Sequence, residues 1–369
     1  MTIQSKLQSA RAALNAALIE RETEIDLALT ALIAGEHLLL VGPPGTAKSL
    51  LAESVRDFIA GDLFSILLTK FTTPEEVCGP ISLTGLKSDH YRRIVDGKLP
   101  TAHVAFLDEI FKASSAILNT MLTLLNERTF HNDGAILRCP LQLAIGASNE
   151  WPGSNGDGLE LGALFDRFLL RRHVSPIATA AGLESLLWDS RDSHKAVFAA
   201  KITPDEIKQA QAEAKALPWT DEAKAAFSRI VATARTEGIQ PGDRRLYKSV
   251  TACQAAAYLD GSDEVKPEHL EVLAHTLWVD PAEQPAKLAE IVGPIANPAA
   301  AAVNALLTEA AEIIRNTDLR ELSAAAAAVK KLGSIEKKAA GYTGSKAAAA
   351  QNYLKAEIKR IRLATVEAL

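Results

Sequence analysis

The sequence predicts an α/β protein: a parallel sheet flanked by helices, followed by an all-helical domain and a helical C-terminal extension. Three observations lead there. Short continuous apolar runs at 37–41 (HLLLV), 103–107 (HVAFL) and 141–147 have the pattern of strands buried on both faces. They alternate with stretches of helical periodicity, which sets the strands side by side and parallel, with helices on both faces. After about Pro176 the strand signals fade and helical segments follow one another to the end.

In chain order, residues 3–34 read as helix, because Leu7, Leu14, Leu18, Ile25, Leu29 and Leu32 recur at helical spacing, and Gly35 stops it. The run at 37–41 leads through a glycine-rich turn into a helix over 49–59, and 64–68 reads as a second strand. Residues 72–100 form an insertion with Pro, Gly and polar residues, too irregular for one helix. After the strand at 103–107, residues 114–126 are an amphipathic helix, and 129–139 read as a hairpin turning at Asn132-Asp133-Gly134. The run at 141–147 is a further strand and 168–173 the last. Helices are predicted at 180–188, 204–215, 221–236, 243–258 and 267–278. The segment 279–298, with Pro281, Pro285, Pro294 and Pro298, reads as a linker or loosely packed crossing. From Ala299 the chain is rich in Ala, Lys and Arg, predicting two or three helices broken at Gly333, Gly341 and Gly344. The expected division is a core over 1–178, an all-α domain over 179–278 and a C-terminal region over 279–369.

Of the 369 residues, 48% are apolar and 23% charged, the balance of an ordinary globular protein. A chain of this length buries a sizeable core without metal or disulfide staples. The net charge of −5 argues against a surface built wholly for nucleic acid, but leaves room for a local basic channel. Cys78, Cys139 and Cys253 lie far apart with no CxxC spacing, so neither a zinc site nor a disulfide framework is expected, and a reducing cytoplasm fits. The N-terminus has no signal-peptide core, and the longest apolar runs are too short to span a bilayer. His37, His90, His103 and His131 show no metal-ligand spacing. The basic tail, including Lys330, Lys331, Lys337, Lys338, Lys355 and Lys359, reads as the solvated face of Ala-rich helices rather than a nucleic-acid patch.

One motif decides the class. Gly42-Pro43-Pro44-Gly45-Thr46-Ala47-Lys48-Ser49-Leu50 follows a buried strand and opens a helix, the setting a phosphate-binding loop requires. Glycines let backbone N–H groups approach the phosphates of ATP, and the helix N-terminus adds its positive end. Lys48 is placed to reach the β- and γ-phosphates, and the Ser49 hydroxyl to ligate Mg²⁺. The consensus has glycine where Ala47 stands: a helical backbone there makes alanine free of cost, whereas a positive φ compromises the site. The second motif, VAFLDE at 104–109, delivers Asp108 and Glu109 to the carboxyl edge of the sheet, where open α/β sheets bind ligands. Asp108 is the expected Mg²⁺ holder and Glu109 the base that polarises water. Asn149 ends the strand LQLAIGASN, where its amide can orient that water or touch the γ-phosphate.

These residues resemble the AAA+ superfamily and, more narrowly, the MoxR family and its RavA-like ATPases. The likeness is carried by GPPGTAKS at 42–49, FTTPEEVCGPIS at 71–82, FLDEIFKASSAILNTMLTLLNER at 106–128, ASNE at 147–150 and LFDRFLLR at 164–171, and runs from about Ile19 to Trp278. Alanine at position 47 recurs in RavA-like sequences. The resemblance implies an ATPase acting as a hexameric ring and chaperone, often with a von Willebrand factor A partner that carries its own metal. It makes 72–100 the helix-2 insert and 129–139 the hairpin before sensor 1, together pointing into the ring pore, and makes Asn149 sensor 1. Arg167 would be the arginine finger acting on a neighbouring subunit, with Arg171 and Arg172 as rivals. Arg244 would be sensor 2, with Arg245 as alternate. A DNA-acting ring motor is the competing function, since similar inserts occur in ring helicases. Here the insert mixes Glu75, Glu76, Asp89 and Asp96 with Lys87, Arg92, Arg93 and Lys98, so it builds no uniformly basic pore.

Overall fold

A computed structural model describes residues 1–151, 158–190, 194–317, 322–342 and 345–367. The predicted helix over 3–34 is two helices, α1 (Ile3–Ala17) and α2 (Glu22–Ala34), broken at 18–21, where Leu18 is extended and Glu20 has φ 54°. Tertiary contacts outweigh the local helical preference. The Glu20 carboxylate accepts the backbone N–H groups of Ala178 and Thr179 at 2.8 and 3.0 Å. Arg21 donates to Ser175 O at 2.8 Å and Thr46 O at 3.2 Å. The apolar stripe holds as expected, with Leu7, Leu14, Ile25, Leu29 and Leu32 fully buried.

The core then runs β1 (Leu38–Val41), α3 (Lys48–Phe58), β2 (Leu63–Leu67), α4 (Pro74–Cys78), α5 (Leu83–Leu86), β3 (Val104–Asp108), α6 (Ser115–Glu127), β4 (Thr129–Asn132), β5 (Ala135–Arg138), β6 (Leu143–Ser148), α7 (Gly158–Arg167) and β7 (Leu170–His173). Five strands form one sheet in the order β2-β3-β6-β1-β7, every neighbour pair parallel. All the carboxyl ends therefore share one edge. β4 and β5 pair antiparallel across Asp133 and Gly134, both at positive φ (55° and 75°). That is the two-residue turn whose twist matches a hairpin.

Hairpin and insert are bolted together. Asn132 accepts from Arg93 N at 2.7 Å and donates to Arg93 O at 3.1 Å. Asp133 accepts from Tyr91 N at 3.0 Å and meets His90 Nδ1 at 2.9 Å.

Helices follow: α8 (Ala180–Trp188), α9 (Pro204–Ala216), α10 (Asp221–Thr236), α11 (Asp243–Leu259), a 3₁₀ segment (Pro267–His275), α12 (Gln284–Ala296), α13 (Pro298–Arg315), α14 (Leu322–Ala339) and α15 (Ser345–Glu367). Residues 279–298 do not form the expected linker: most of them are α12, which buries Leu288, Val292 and Ala296. Pro285 sits in the first turn, where its missing N–H has no partner to lose, whereas Pro294 lies inside the helix and forgoes the bond to Glu290 O one turn before the helix ends. Gly333 does not break the tail either and lies inside α14. Gly341 falls between α14 and α15; Gly344 lies outside the described residues. The last three helices close a small core of their own around Leu332, Ile335, Leu354 and Ile361. Among the described residues, no helix is long and apolar enough to cross a membrane.

Candidate nucleotide site

The phosphate loop spans the gap between β1 and α3 at the carboxyl edge. Gly42 is compulsory, since a Cβ there would lie 2.1 Å from Val174 O. Gly45 has φ 80° with open space around it, leaving room for a ligand's approach. Ala47 adopts φ 64° and ψ 21° as the N-cap of α3. Of the two alternatives for that position the fold takes the left-handed one, which costs an L-residue about 1–2 kcal/mol.

Lys48 is buried and donates to Gly42 O at 2.7 Å and Pro43 O at 2.9 Å. Burial lowers its ammonium below the ordinary lysine value, against the pull of Asp108 and Glu109. An amine held over loop carbonyls and facing two carboxylates suits exchange onto phosphate oxygens. Ser49 and Leu50 are exposed at the start of α3, and Pro43, Pro44 and Gly45 are exposed on the loop, with Thr46 buried beneath it.

β3 delivers the carboxylates as expected. Burial raises the Asp108 carboxyl above its usual range, and one of its oxygens accepts Glu109 N at 3.0 Å. Glu109 stands at φ 52°, a turn that swings its side chain toward β6. There the Asn149 amide donates to one Glu109 oxygen, and Lys112 Nζ lies 3.3 Å from the other, an ion pair without hydrogen-bond alignment. Asn149 Oδ1 also lies 3.4 Å from Lys48 Nζ. The structure thus brings Lys48, Glu109 and Asn149, read separately from the sequence, into one connected set. Ser49 and Asp108 offer the oxygen donors that Mg²⁺ takes, at the same edge.

The arginines lie elsewhere. Arg167 ends α7 just before β7, and Leu170 pairs with Leu38, so it stands at the amino edge of the sheet. Arg244 contacts Asn126 near the end of α6. That end meets the residues preceding β1: Leu125 O accepts from the His37 ring at 2.9 Å, and Arg128 donates to Gly35 O at 3.2 Å. Four strand residues at about 3.3 Å each put roughly 13 Å between this edge and the phosphate loop of the same chain.

The rivals are structural. Arg171 is fully buried, donates to Phe165 O, Phe168 O and Trp278 O at 2.8–2.9 Å, and stacks 3.7 Å over the Phe165 ring. Arg172 pairs with buried Glu24 at 3.0 Å. Arg245 is buried, donates to Thr276 O at 2.7 Å and pairs with Asp166 at 2.9 Å, tying the helical domain to the core. Sequence reading missed Arg21, which braces the loop at Thr46 O, and Glu20, which holds the segment at Ala178 and Thr179; RETEIDL reads as uninterrupted helix, with no local signal of a break.

Comparison with known proteins bears on the family and the fold. A family model described as "MoxR domain in the MoxR-vWA-beta-propeller ternary systems" matches residues 5–212, and one for an AAA lid domain matches 226–292. Two uncharacterized proteins of Methanocaldococcus jannaschii are similar. One is 40% identical over 278 residues, covering 75% of this chain and 72% of its own. The other is 37% identical over 339 residues, covering 91% and 84%. The crystal structure of a candidate ATPase from Cytophaga hutchinsonii shares the fold, with a TM-score of 0.63 at 16% identity, over 79% of this chain and 94% of that one.

Proposed function

This chain belongs to the MoxR domain family, a MoxR-type AAA+ ATPase, and from that membership we propose that it hydrolyses ATP with Mg²⁺ in a homo-oligomeric ring, most simply a hexamer, to remodel a protein partner. The observation that carries the reading is the split of the site between opposite sheet edges. Lys48, Glu109 and Asn149 converge on one edge, while Arg167 and Arg244 stand on the other. Both arginines therefore serve a nucleotide on a neighbouring copy, and hydrolysis depends on assembly.

In each copy, the loop amides and Lys48 bind the phosphates. Ser49 and Asp108 would hold Mg²⁺, which neutralises phosphate charge when bound. Glu109 takes the proton of the attacking water once Asn149 releases it, and the neighbour's Arg167 stabilises the charge developing at the γ-phosphate. The division into a core over 1–178, a lid over 179–278 and a C-terminal region is part of this proposal, as is a cytoplasmic setting. A RavA-like placement rests on the resemblance of the motif segments at 42–49, 71–82, 106–128, 147–150 and 164–171, with Ala47 among them.

The family description supports a von Willebrand factor A partner; the chaperone role is carried over from the family resemblance. The test measures ATP turnover with Glu109→Gln, with Arg167→Ala and with added DNA. Loss of turnover in both variants with ATP binding retained supports the reading. Full turnover in Glu109→Gln removes the base, and strong DNA stimulation favours a nucleic-acid motor.

A further inference from the structure

α8 is almost bare. Of its nine residues only Gly182 is buried. Leu183, Leu186 and Leu187 share a face at i, i+3 and i+4, and Leu187 and Trp188 are 63% and 81% exposed. A helix this short is marginal alone in water, and contiguous exposed apolar area of this kind marks a contact surface.

Its base, in contrast, is anchored. The Glu20 carboxylate accepts from Ala178 N, Thr179 N and the Thr179 hydroxyl. A Cβ on Gly182 would lie 2.4 Å from Glu20 Oε1, so glycine lets the helix seat there. The helix is held firmly in place with its leucines outward.

The anchor places α8 beside the nucleotide. β7 pairs with β1 so that His173 lies opposite Val41. Val174 N donates to Val41 O at 2.7 Å, and Arg21 joins Ser175 to Thr46 of the loop. Strand β7 therefore carries Arg167 just before its start and α8 after its end. A head-to-tail contact needs two such different surfaces on one chain.

We propose that the leucine face of α8 is the seat of a second copy of this chain across the nucleotide edge. The inference rests on the ring reading above, because only a second copy's amino edge brings the missing arginines to this loop. That edge offers a counterpart: Tyr247, one turn after Arg244 on α11, is 78% exposed. The contact joins the seat to the phosphate loop through Glu20 and Arg21, so covering α8 and completing the site become one event.

The test is sedimentation velocity of the full chain over a concentration series with Mg·ATP, comparing wild type, L186E/L187E and Tyr247→Ser, with ATP affinity and far-UV circular dichroism measured alongside. Assembly of the wild type, with half-assembly in L186E/L187E shifted upward by about tenfold or more at unchanged ATP affinity, is the expected result. Tyr247→Ser shifts it the same way. If L186E/L187E fails to fold, Leu187→Ser, which removes apolar area without adding charge, replaces it. Equal assembly of wild type and α8 variants overturns the seat while leaving the ring intact. A wild type that stays monomeric with Mg·ATP overturns the ring reading itself.

Discussion

Ala47 enters α3 at φ 64°, a conformation in which the methyl group crowds the following carbonyl, and the consequence can be worked through. Left-handed backbone costs an L-residue about 1–2 kcal/mol. Glycine escapes that cost but gives up about 0.5–1 kcal/mol through its freer unfolded chain. The balance for Ala47→Gly is a gain of about 0.5–1 kcal/mol. The opposite perturbation is Ala47→Val, since a branched side chain at positive φ is a genuine outlier, and it should lose at least as much as glycine gains. Urea unfolding read by tryptophan fluorescence tests both: the midpoint should rise for glycine and fall for valine with the slope unchanged. A midpoint that is unchanged or lower for glycine would refute left-handed strain at this position.

Further predictions follow the same logic. Gly42→Ala should destabilise by about 1–3 kcal/mol and abolish ATP binding, because backbone rather than a movable side chain fills the space; calorimetric titration showing wild-type affinity contradicts it. Arg171→Ala takes the guanidinium donor from buried Trp278 O and removes its stack on Phe165, and should cost about 1–3 kcal/mol, read as a lowered thermal midpoint; an unshifted melt would return Arg171 to the list of candidate fingers. His37 is buried, accepts Ala144 N and donates to Leu125 O. Burial, then the charge of Arg128, holds its pKa well below the ordinary 6.5. The folded protein thus favours the neutral ring, so this contribution is complete above pH 6.5 and is lost as pH falls below it, by up to about 1.4 kcal/mol per pH unit. His37→Gln should flatten that slope in urea melts run between pH 5 and 7.

The strands, the phosphate loop and the Asp108-Glu109 pair were readable because each is a local signal: an apolar run, a glycine pattern, a charge at a strand end. The hairpin was readable for the same reason, in Asn132-Asp133-Gly134. What escaped depends on residues far apart in sequence. The break at 18–21 has neither glycine nor proline and exists because Ala178, Thr179 and Ser175 offer better partners than the next helical turn. The four arginines near 167–172 and 245 look alike until burial separates them: Arg171 and Arg245 disappear into carbonyl cages, while Arg167 stays partly open. Proline count misread 279–298 because a proline's harm depends on where in the helix it falls.

The four polar links between residues 90–93 and 132–133 have a practical corollary for grafting. Arg93 N and Tyr91 N find their acceptors on the hairpin's side chains. A chimera that imports one segment from a relative strands two main-chain donors, each costing about 1–3 kcal/mol where water cannot reach them. Segments 80–94 and 129–138 should therefore be transplanted as a matched pair, and natural variation in one should track variation in the other.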